Sequence, residues 1–403
     1  HRSEAHGSIL VHRGATVLDR FKIWAFPAIL AVALGLRLWG LVFGFPAEHP
    51  DEIFLVVYPL NFFSGDLNPH SFHKPTFHFY LLGLLYAGYF VVGKVFGRDW
   101  TASEFAAYHT FFDTDSLLLL ARLASVFLST LTIWWVYRLA RRVAGNGAAV
   151  AAAGLLAVSV LHVRQTPLAA VDIPLAFWVV GATWAAVRLL HAERARDYLL
   201  AGVLVGLAAS TKYPGAAVGL AIPVAHLCAR RSILQPRLWL APLAAVALFL
   251  ATSPYVLLDF ITFKAHFLFQ ASHAQGGRGG GNPAWWHHLT FSLQHSLGYL
   301  GLAVSLIAVG LQFLRQRQAE VWVVLAAFAG IGLAVGWAQL SFVRYALPLA
   351  ALQAILVALA LNQIPHVRWR AALFLALLIE PFYGSVRLAQ LQASEDTRHA
   401  ARS

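Results

Sequence analysis

The sequence predicts an all-α polytopic membrane protein with about 10–12 transmembrane helices, because apolar stretches of spanning length follow one another along it. Of its 403 residues, 59% are hydrophobic and 12% are charged, and the mean hydropathy is +0.65. A soluble domain carries about 25% charged residues. The composition therefore excludes a globular enzyme with a membrane tail. It predicts one membrane domain over residues 1–403, with no separate soluble domain.

The apolar stretches give the order of the predicted spans. A spanning helix needs about 20 apolar residues, so some of these stretches are short for a complete crossing. The predicted spans are 23–45, 116–137, 147–162, 173–190, 199–211, 214–229, 238–257, 291–314, 321–339, 346–363 and 371–388.

Two kinds of connection alternate between these spans. One kind is short and basic, namely Arg138/Arg141/Arg142, Arg188/Arg194/Arg196, Arg230/Arg231/Arg237, Arg315/Arg317 and Arg368/Arg370. The other kind carries acids, histidines and single cations. The positive-inside rule assigns the basic connections to the cytoplasm, so we expect the second kind to share the extracytoplasmic face. The Arg clusters explain most of the net charge of +12, and no nucleic-acid partner is expected.

The stretch Phe77–Phe96 is also long and apolar. If it crossed the membrane, every later connection would change sides and the Arg clusters would face outward. We therefore expect 77–96 to be a membrane-embedded or membrane-surface helix within one large first external loop, 46–115. A second long external segment, 258–290, contains the glycine-rich run Gln275–Gly281, which resists ordering. We expect this segment to be flexible.

The first external loop begins with His49-Pro50-Asp51-Glu52, a dense polar group in a chain that is poor in charge. Two interpretations of Asp51 are open. It is well placed to cap a helix that follows Pro50. A carboxylate at the bilayer surface can also act as a general base toward a hydroxyl group.

His73-Lys74-Pro75 lies later in the same loop. Pro75 is expected in the first turn of the next helix, which puts Lys74 at a helix N-terminus, where an anion such as a lipid phosphate is favoured. Anchoring of the helix end by a snorkelling lysine is the alternative. His73 can ligate a metal, but no second ligand stands at a diagnostic spacing, so a divalent metal is left open.

Three later positions on the same face carry isolated charges. Asp172 shares a tight turn with Arg164. Two interpretations of Asp172 are open, a helix cap before Ile173-Pro174 and an ion pair with Arg164. Lys212-Tyr213 and Arg344-Tyr345 each interrupt apolar sequence between two spans. Unpaired charges near hydrocarbon are costly. Lys74, Lys212 and Arg344 therefore suggest a site for a phosphate with an apolar tail, with membrane anchoring as the alternative.

Together, these motifs resemble the GT-C superfamily of glycosyltransferases. The branch most like this chain is that of the protein O-mannosyltransferases and the bacterial aminoarabinose transferase to lipid A. The resemblance rests on motifs in the family's order: His49-Pro50-Asp51-Glu52, Gly65-Asp66-Leu67-Asn68-Pro69-His70, His73-Lys74-Pro75, Val171-Asp172-Ile173-Pro174-Leu175, Ser210-Thr211-Lys212-Tyr213 and Arg344-Tyr345-Ala346-Leu347-Pro348. It covers nearly the whole chain.

The resemblance implies a GT-C fold with membrane-surface helices in the first loop, and inverting transfer of a sugar from a polyprenyl-phosphate donor. Asp51 would be the catalytic base, with Glu52 or Asp172 assisting. The donor phosphate would be bound by Lys74, Lys212 and Arg344 together with Tyr213 and Tyr345, and His49, His73 and Arg164 are further candidates to assist. Relatives often carry Glu where this chain has His73.

The expected partners are a polyprenyl-phosphate-linked sugar donor, membrane lipids, and an acceptor lipid, glycan or protein. The expected location is the plasma or inner membrane, with the active site on the extracytoplasmic face. The alternative function is a polytopic lipid or sugar transporter or flippase. Such proteins place charges near the membrane midplane and often contain internal repeats, and neither feature is visible in this sequence.

Overall fold

A computed structural model of the protein describes residues 17–42, 49–276, 284–315 and 318–394, and all regular structure in these ranges is helical. The α-helices are α1 (Val17–Leu38), α2 (Pro50–Val57), α3 (Phe77–Val95), α4 (Ala102–Phe111), α5 (Thr114–Ala157), α6 (Val160–Gln165), α7 (Asp172–Arg188), α8 (Ala195–Thr211), α9 (Ala221–Cys228), α10 (Pro236–Thr252), α11 (Tyr255–Leu258), α12 (Phe260–Gln275), α13 (Ala284–His287), α14 (Gln294–Arg315), α15 (Ala319–Gly336), α16 (Leu347–Asn362) and α17 (Val367–Ala393). Short 3-10 helices cover Tyr58–Ser64, Tyr213–Leu220 and Val343–Ala346.

The predicted polytopic all-α fold is confirmed. Within the described ranges, six helices are long and apolar enough to cross a membrane, namely Phe77–Val95, Thr114–Ala157, Gln294–Leu314, Ala319–Gly336, Val343–Asn362 and Val367–Ala393. Three shorter apolar helices cover Trp24–Leu38, Tyr213–Cys228 and Pro236–Thr252. The predicted spans 173–190 and 199–211 correspond to α7 and α8, of 17 residues each.

The predicted spans 116–137 and 147–162 meet without a loop. They form the two arms of α5, which is interrupted at Ala144 and Gly145 by non-helical backbone angles. Gly145 has φ +83°, a left-handed conformation that glycine adopts without steric penalty. A sharp turn at this glycine therefore reverses the chain, and the second arm ends at Ala157, just before α6.

Four of the basic connections and the start of α15 meet at one end of the bundle, which we call the basic end. The contacts at this end are Arg188–Asp197 at 2.7 Å, Arg231–Glu193 at 3.1 Å, His191–Glu320 at 3.0 Å, Arg370–Asn362 at 3.2 Å and Asn362–Ala144 at 3.1 Å. Arg142 also interacts electrostatically with Arg188 and Glu320. Helices α7, α8 and α16 run from this end to the opposite one. At about 1.5 Å per residue, each is roughly 25 Å long.

The first loop packs its helices against each other and against the start of α5. Phe79, near the start of α3, contacts Tyr58 at a ring separation of 5.7 Å. Phe90, near its end, contacts Phe63 at 5.9 Å and Phe105 of α4 at 5.3 Å. Both ends of α3 thus touch the same loop. These contacts favour a helix within the loop, although α3 is long enough to span, and its position relative to the membrane stays a prediction.

Candidate active site

A cavity of about 760 Å³ lies at the end of the bundle opposite the basic end. The ionisable side chains at its centre come from five separate segments: the start of α2, the loop before α3, the start of α7, the end of α8 and the 3-10 helix Val343–Ala346. The charged and imidazole side chains at its centre are His49, Asp51, Lys74, Asp172, Lys212 and Arg344. The fold therefore brings the predicted base and the three predicted phosphate ligands into one space.

The capping interpretation made Asp51 the N-cap of α2, but Asp51 is the second residue of this helix. His49 is the N-cap, with extended backbone angles, and Glu52 completes a capping box with it. The Asp51 Oδ2 lies 2.9 Å from the Lys74 Nζ, and the side chain is 31% exposed. Burial raises the pKa of this carboxyl, but Lys74, His49 and Arg344 lower it more, so the pKa lies below its usual value. Asp51 is therefore ionised at neutral pH and able to accept a proton.

Glu52 has a different environment from its neighbour. Its carboxylate is fully buried and receives hydrogen bonds from the Arg122 Nε and Nη2, both at 2.9 Å, and from the Ala169 backbone N–H at 2.8 Å. It does not belong to the cavity lining. The geometry therefore speaks against the predicted assisting role in catalysis, because the carboxylate is committed to fixing α2 against α5.

Asp172 is the first residue of α7, and its side chain is 3% exposed. The Lys212 Nζ donates to its Oδ1 at 2.7 Å, and the Arg344 Nε lies 3.7 Å from its Oδ2. The ion pair expected with Arg164 is replaced by these contacts. Arg164 is exposed near the end of α6 and does not line the cavity.

Arg344 is the most central cation of the cavity. Its guanidinium lies within 4 Å of both carboxylates, at 3.8 Å from Asp51 and 3.7 Å from Asp172. Its Nη1 lies 2.9 Å from the Nε2 of His49. Lys212 sits 4.0 Å above the ring of Tyr345. These contacts hold both cations in position without consuming all of their hydrogen-bond donors.

Lys74 lies farther from the start of α3 than the sequence predicted. The helix begins at Phe77, after the N-cap Thr76, and not at Pro75. Burial lowers the pKa of Lys74, an effect that Asp51 partly offsets and Lys212 reinforces. With Lys74, Lys212 and Arg344 facing Asp51 and Asp172, the cavity has one excess positive charge. An anion of one negative charge would complete the balance.

The remaining predicted residues stabilise the rim of the cavity. The Tyr213 hydroxyl donates to the Phe72 carbonyl at 2.9 Å, which ties the first loop to the end of α8. The His73 ring stacks on His266 at 4.3 Å. Across the described ranges, no group of three His, Cys, Asp or Glu side chains could hold a metal ion. The divalent metal left open by the sequence stays a prediction.

Helix α12 covers one side of the cavity. Phe267 and Phe269 line it from this helix, and the Ala274 carbonyl accepts from the Gln339 N–H at 2.8 Å, which connects α12 to the segment after α15. Most of the glycine-rich run that follows lies outside the described residues, as part of 277–283, so its flexibility stays a prediction.

The aromatic part of the lining was not found from the sequence. Phe54, Phe79, Phe267, Phe269 and Phe342 all face the cavity. In a chain where 59% of residues are hydrophobic, one apolar residue gives no signal of its position. The partner of Glu52 could have been found, because Arg122 is an ionisable residue inside a predicted span, where such residues are rare and paired.

Comparisons with known proteins agree with this architecture. Residues 110–256, less than half of the chain, match the family described as dolichyl-phosphate-mannose-protein mannosyltransferase. No curated protein matches the chain.

Two solved structures resemble it over most of its length. The archaeal oligosaccharyltransferase AglB from Archaeoglobus fulgidus, in complex with an inhibitory peptide and a dolichol-phosphate, is 17% identical with a TM-score of 0.60, over 94% of this chain and 56% of its own. ArnT from Cupriavidus metallidurans bound to undecaprenyl phosphate is 19% identical with a TM-score of 0.60, over 87% of this chain and 61% of its own. The chain thus spans about three fifths of their length, and it has the GT-C fold that they share.

Proposed function

We propose that this protein is an inverting glycosyltransferase that moves a sugar from a polyprenyl-phosphate donor to a hydroxyl or amine of an acceptor. The observation that carries the proposal is the meeting of one ionised, partly exposed carboxylate, Asp51, with the three cations Lys74, Lys212 and Arg344 in one cavity. The acceptor belongs to a lipid, a glycan or a protein.

The charges of the cavity suit a single displacement at the anomeric carbon. The acceptor oxygen or nitrogen forms a bond to that carbon while the bond to the phosphate oxygen breaks, and the phosphate leaves with the electron pair. Fixed cations stabilise the charge that develops on the leaving group. Asp51 takes the proton of the acceptor as its bond forms. One displacement inverts the configuration at the anomeric carbon.

The apolar lining supports a donor with a lipid tail. The charged centre is surrounded by aromatic rings from α2, α3 and α12 and by aliphatic residues of α15. The two similar structures hold a dolichol-phosphate and an undecaprenyl phosphate, respectively. The excess of one positive charge suits a phosphodiester, which carries one negative charge.

An extracytoplasmic orientation is supported by the distribution of arginines. The cavity lies at the end of the bundle away from the basic end, and the positive-inside rule assigns the basic end to the cytoplasm. Donor and acceptor would then meet at the outer leaflet.

The test is to incubate the purified protein with a panel of radiolabelled polyprenyl-phosphate sugars and crude membrane acceptors. We expect the label of one donor to be transferred to a chloroform-insoluble or lipid acceptor fraction. The Asp51→Asn variant should not transfer it. Asp66→Asn is the matched control, because Asp66 is an exposed carboxylate of the same loop that pairs with His70 away from the cavity. Absence of transfer from every donor, with movement of the intact lipid across vesicles, would favour a flippase.

A further inference from the structure

The ring of His49 lies between two hydrogen-bond donors that are far apart in the sequence, one from the backbone and one from a side chain. On one side, the N–H of Asp51 lies 3.1 Å from Nδ1. On the other, the Arg344 Nη1 lies 2.9 Å from Nε2, across 295 residues. The side chain is mostly buried, so water cannot substitute freely for either contact.

A neutral imidazole accepts a hydrogen bond at one nitrogen only, because the other carries the proton. The two contacts of His49 therefore cannot both be hydrogen bonds to the ring. Arg344 cannot release its proton, and a hydrogen bond from a cation is stronger than one from a backbone amide. A proton on Nδ1 also faces the Asp51 Oδ2 at 3.9 Å, which is electrostatically favourable. The acceptor nitrogen is therefore Nε2, directed at Arg344, and the part of the capping box that remains is the hydrogen bond from the His49 N–H to the Glu52 Oε2 at 3.2 Å.

The contact with His49 occupies one specific part of the guanidinium group. The Nη1 contacts the His49 ring. The Nη2 lies 3.8 Å from the Asp51 carboxylate and the Nε lies 3.7 Å from the Asp172 carboxylate, both beyond hydrogen-bond distance. The Nε–Nη2 edge is the one that binds two oxygens of a phosphate at once. That edge lies beside both carboxylates of the cavity, and the Tyr345 hydroxyl also interacts with Arg344.

We propose that His49 is a positioning residue, which accepts from Arg344 through Nε2 and thereby presents the Nε–Nη2 edge of Arg344 to the phosphate of the donor. This rests on the proposed function, since the phosphate is that of the polyprenyl donor. His49 touches neither the sugar nor the acceptor in this role. It fixes Arg344, whose guanidinium lies within 4 Å of both carboxylates.

The role requires an uncharged ring. Burial lowers the pKa of His49, and Arg344 and Lys74 lower it further, while Asp51 and Asp172 act in the opposite direction; the pKa lies below its usual value. The ring is therefore neutral at pH 7. As the pH falls through this pKa, the protonated ring can no longer accept from Arg344 and repels it, so donor affinity should fall on the acid side.

The decisive test compares two substitutions that separate capping from positioning. Asparagine is a good N-cap but is too short to reach Arg344. Glutamine caps poorly, but its Oε1 can accept from Arg344 at the position that the histidine Nε2 occupies. The probe is a tritiated polyprenyl methyl phosphodiester, whose single negative charge is constant between pH 5 and 8. Its dissociation constant is measured on the full-length protein in detergent.

We expect His49→Asn to raise the dissociation constant by about tenfold, the scale of one lost hydrogen bond to a charged group. His49→Gln should stay within about threefold of the wild-type value, below that scale. The reverse order, with His49→Asn near wild type and His49→Gln impaired, would mean that His49 only caps α2 and would overturn the proposal. Equal values in all three proteins would overturn it as well.

A pH series gives an independent measurement. The wild type should lose affinity as the pH falls below the ordinary histidine range, because the pKa of His49 is lowered by burial, and His49→Gln should not. His73 also lines the cavity, and burial lowers its pKa too, so His73→Gln is the control and should keep the acid-side loss. If the wild type fails to bind the probe at any pH, the proposed function fails; if it binds but His49→Gln keeps the acid-side loss, the inference about His49 alone fails.

Discussion

The two ends of the helix bundle both carry ion pairs, but in different surroundings. At the basic end, Glu193 pairs with Arg231 and Arg237, and its side chain is 61% exposed. At the cavity end, Asp172 pairs with Lys212 and is 3% exposed. The closest pairs at the two ends have the same distance, 2.7 Å for Arg188–Asp197 at the basic end and 2.7 Å for Lys212–Asp172 at the cavity end. Distance between opposite charges therefore does not distinguish a functional cluster from a solvated one.

Convergence of several charges on one cavity makes the difference, because the basic end contains a buried carboxylate too, Asp197, whose side chain is 5% exposed. Exposed pairs are screened by water and contribute little to stability, whereas charges held in a cavity interact strongly and keep unused hydrogen-bond donors. The cavity end also joins segments from five parts of the chain, and its cations outnumber its acids by one. Charged residues at the basic end therefore orient the protein in the membrane, whereas those at the cavity end are arranged to bind an anion.

The largest expected effect is on turnover. Asp51→Asn removes the proton acceptor and should lower the turnover number by about 10²–10⁴-fold, while donor binding stays largely intact because the cations remain. Initial rates with the donor identified in the panel measure this. Turnover above a tenth of the wild-type value would reject Asp51 as the base and point to Asp172.

Breaking a buried pair at the cavity end should cost far more stability than breaking an exposed pair at the basic end. Arg122→Ala leaves the carboxylate of Glu52 buried without its guanidinium and should destabilise the protein by about 3–5 kcal/mol. Arg237→Ala, at the exposed pair with Glu193, should cost at most about 1 kcal/mol. Unfolding in detergent micelles, followed by circular dichroism, measures both. Equal losses would refute the contrast in burial.

Removal of single cations from the cavity should weaken donor binding. Lys74→Ala and Lys212→Ala should each raise the dissociation constant of the phosphodiester probe by about tenfold, and the double variant should be non-additive if both contact one phosphate. The matched control is Lys264→Ala, an exposed cation of α12 that does not line the cavity. If the control lost as much affinity, general attraction would explain the binding better than a specific site.

The smallest effect on activity is expected from cysteine substitutions that report the sidedness of the two ends. In a Cys228→Ser background, Ser103→Cys should react with an impermeant maleimide from outside, and Asn146→Cys, at the turn within α5, should not. Both positions are exposed. Labelling of position 146 from outside would show that α3 crosses the membrane.

The sequence alone determined the class of the fold and the separation of the two ends. The length of each apolar stretch is a local property that determines whether it can form a spanning helix. The charge of each connection is also local, and it determines the side of the membrane on which the connection lies. The order of the short motifs identified the resemblance. For the same reason most boundaries of the predicted spans agree with the helices to within about five residues. The exceptions are the first span, 23–45, which is shifted from α1 (Val17–Leu38), and the two spans that Gly145 joins without a loop.

Only the tertiary structure decided what each charged residue contacts. Asp51 and Glu52 are adjacent in sequence, but neighbours in a helix point about 100° apart, so one lines the cavity and the other is buried against Arg122. The partners come from distant segments, 70 residues away for Glu52 and 40 for Asp172. No local pattern encodes such pairings, because they depend on how the helices pack. Asp172 could thus pair with Lys212 and not with Arg164, its neighbour in the chain.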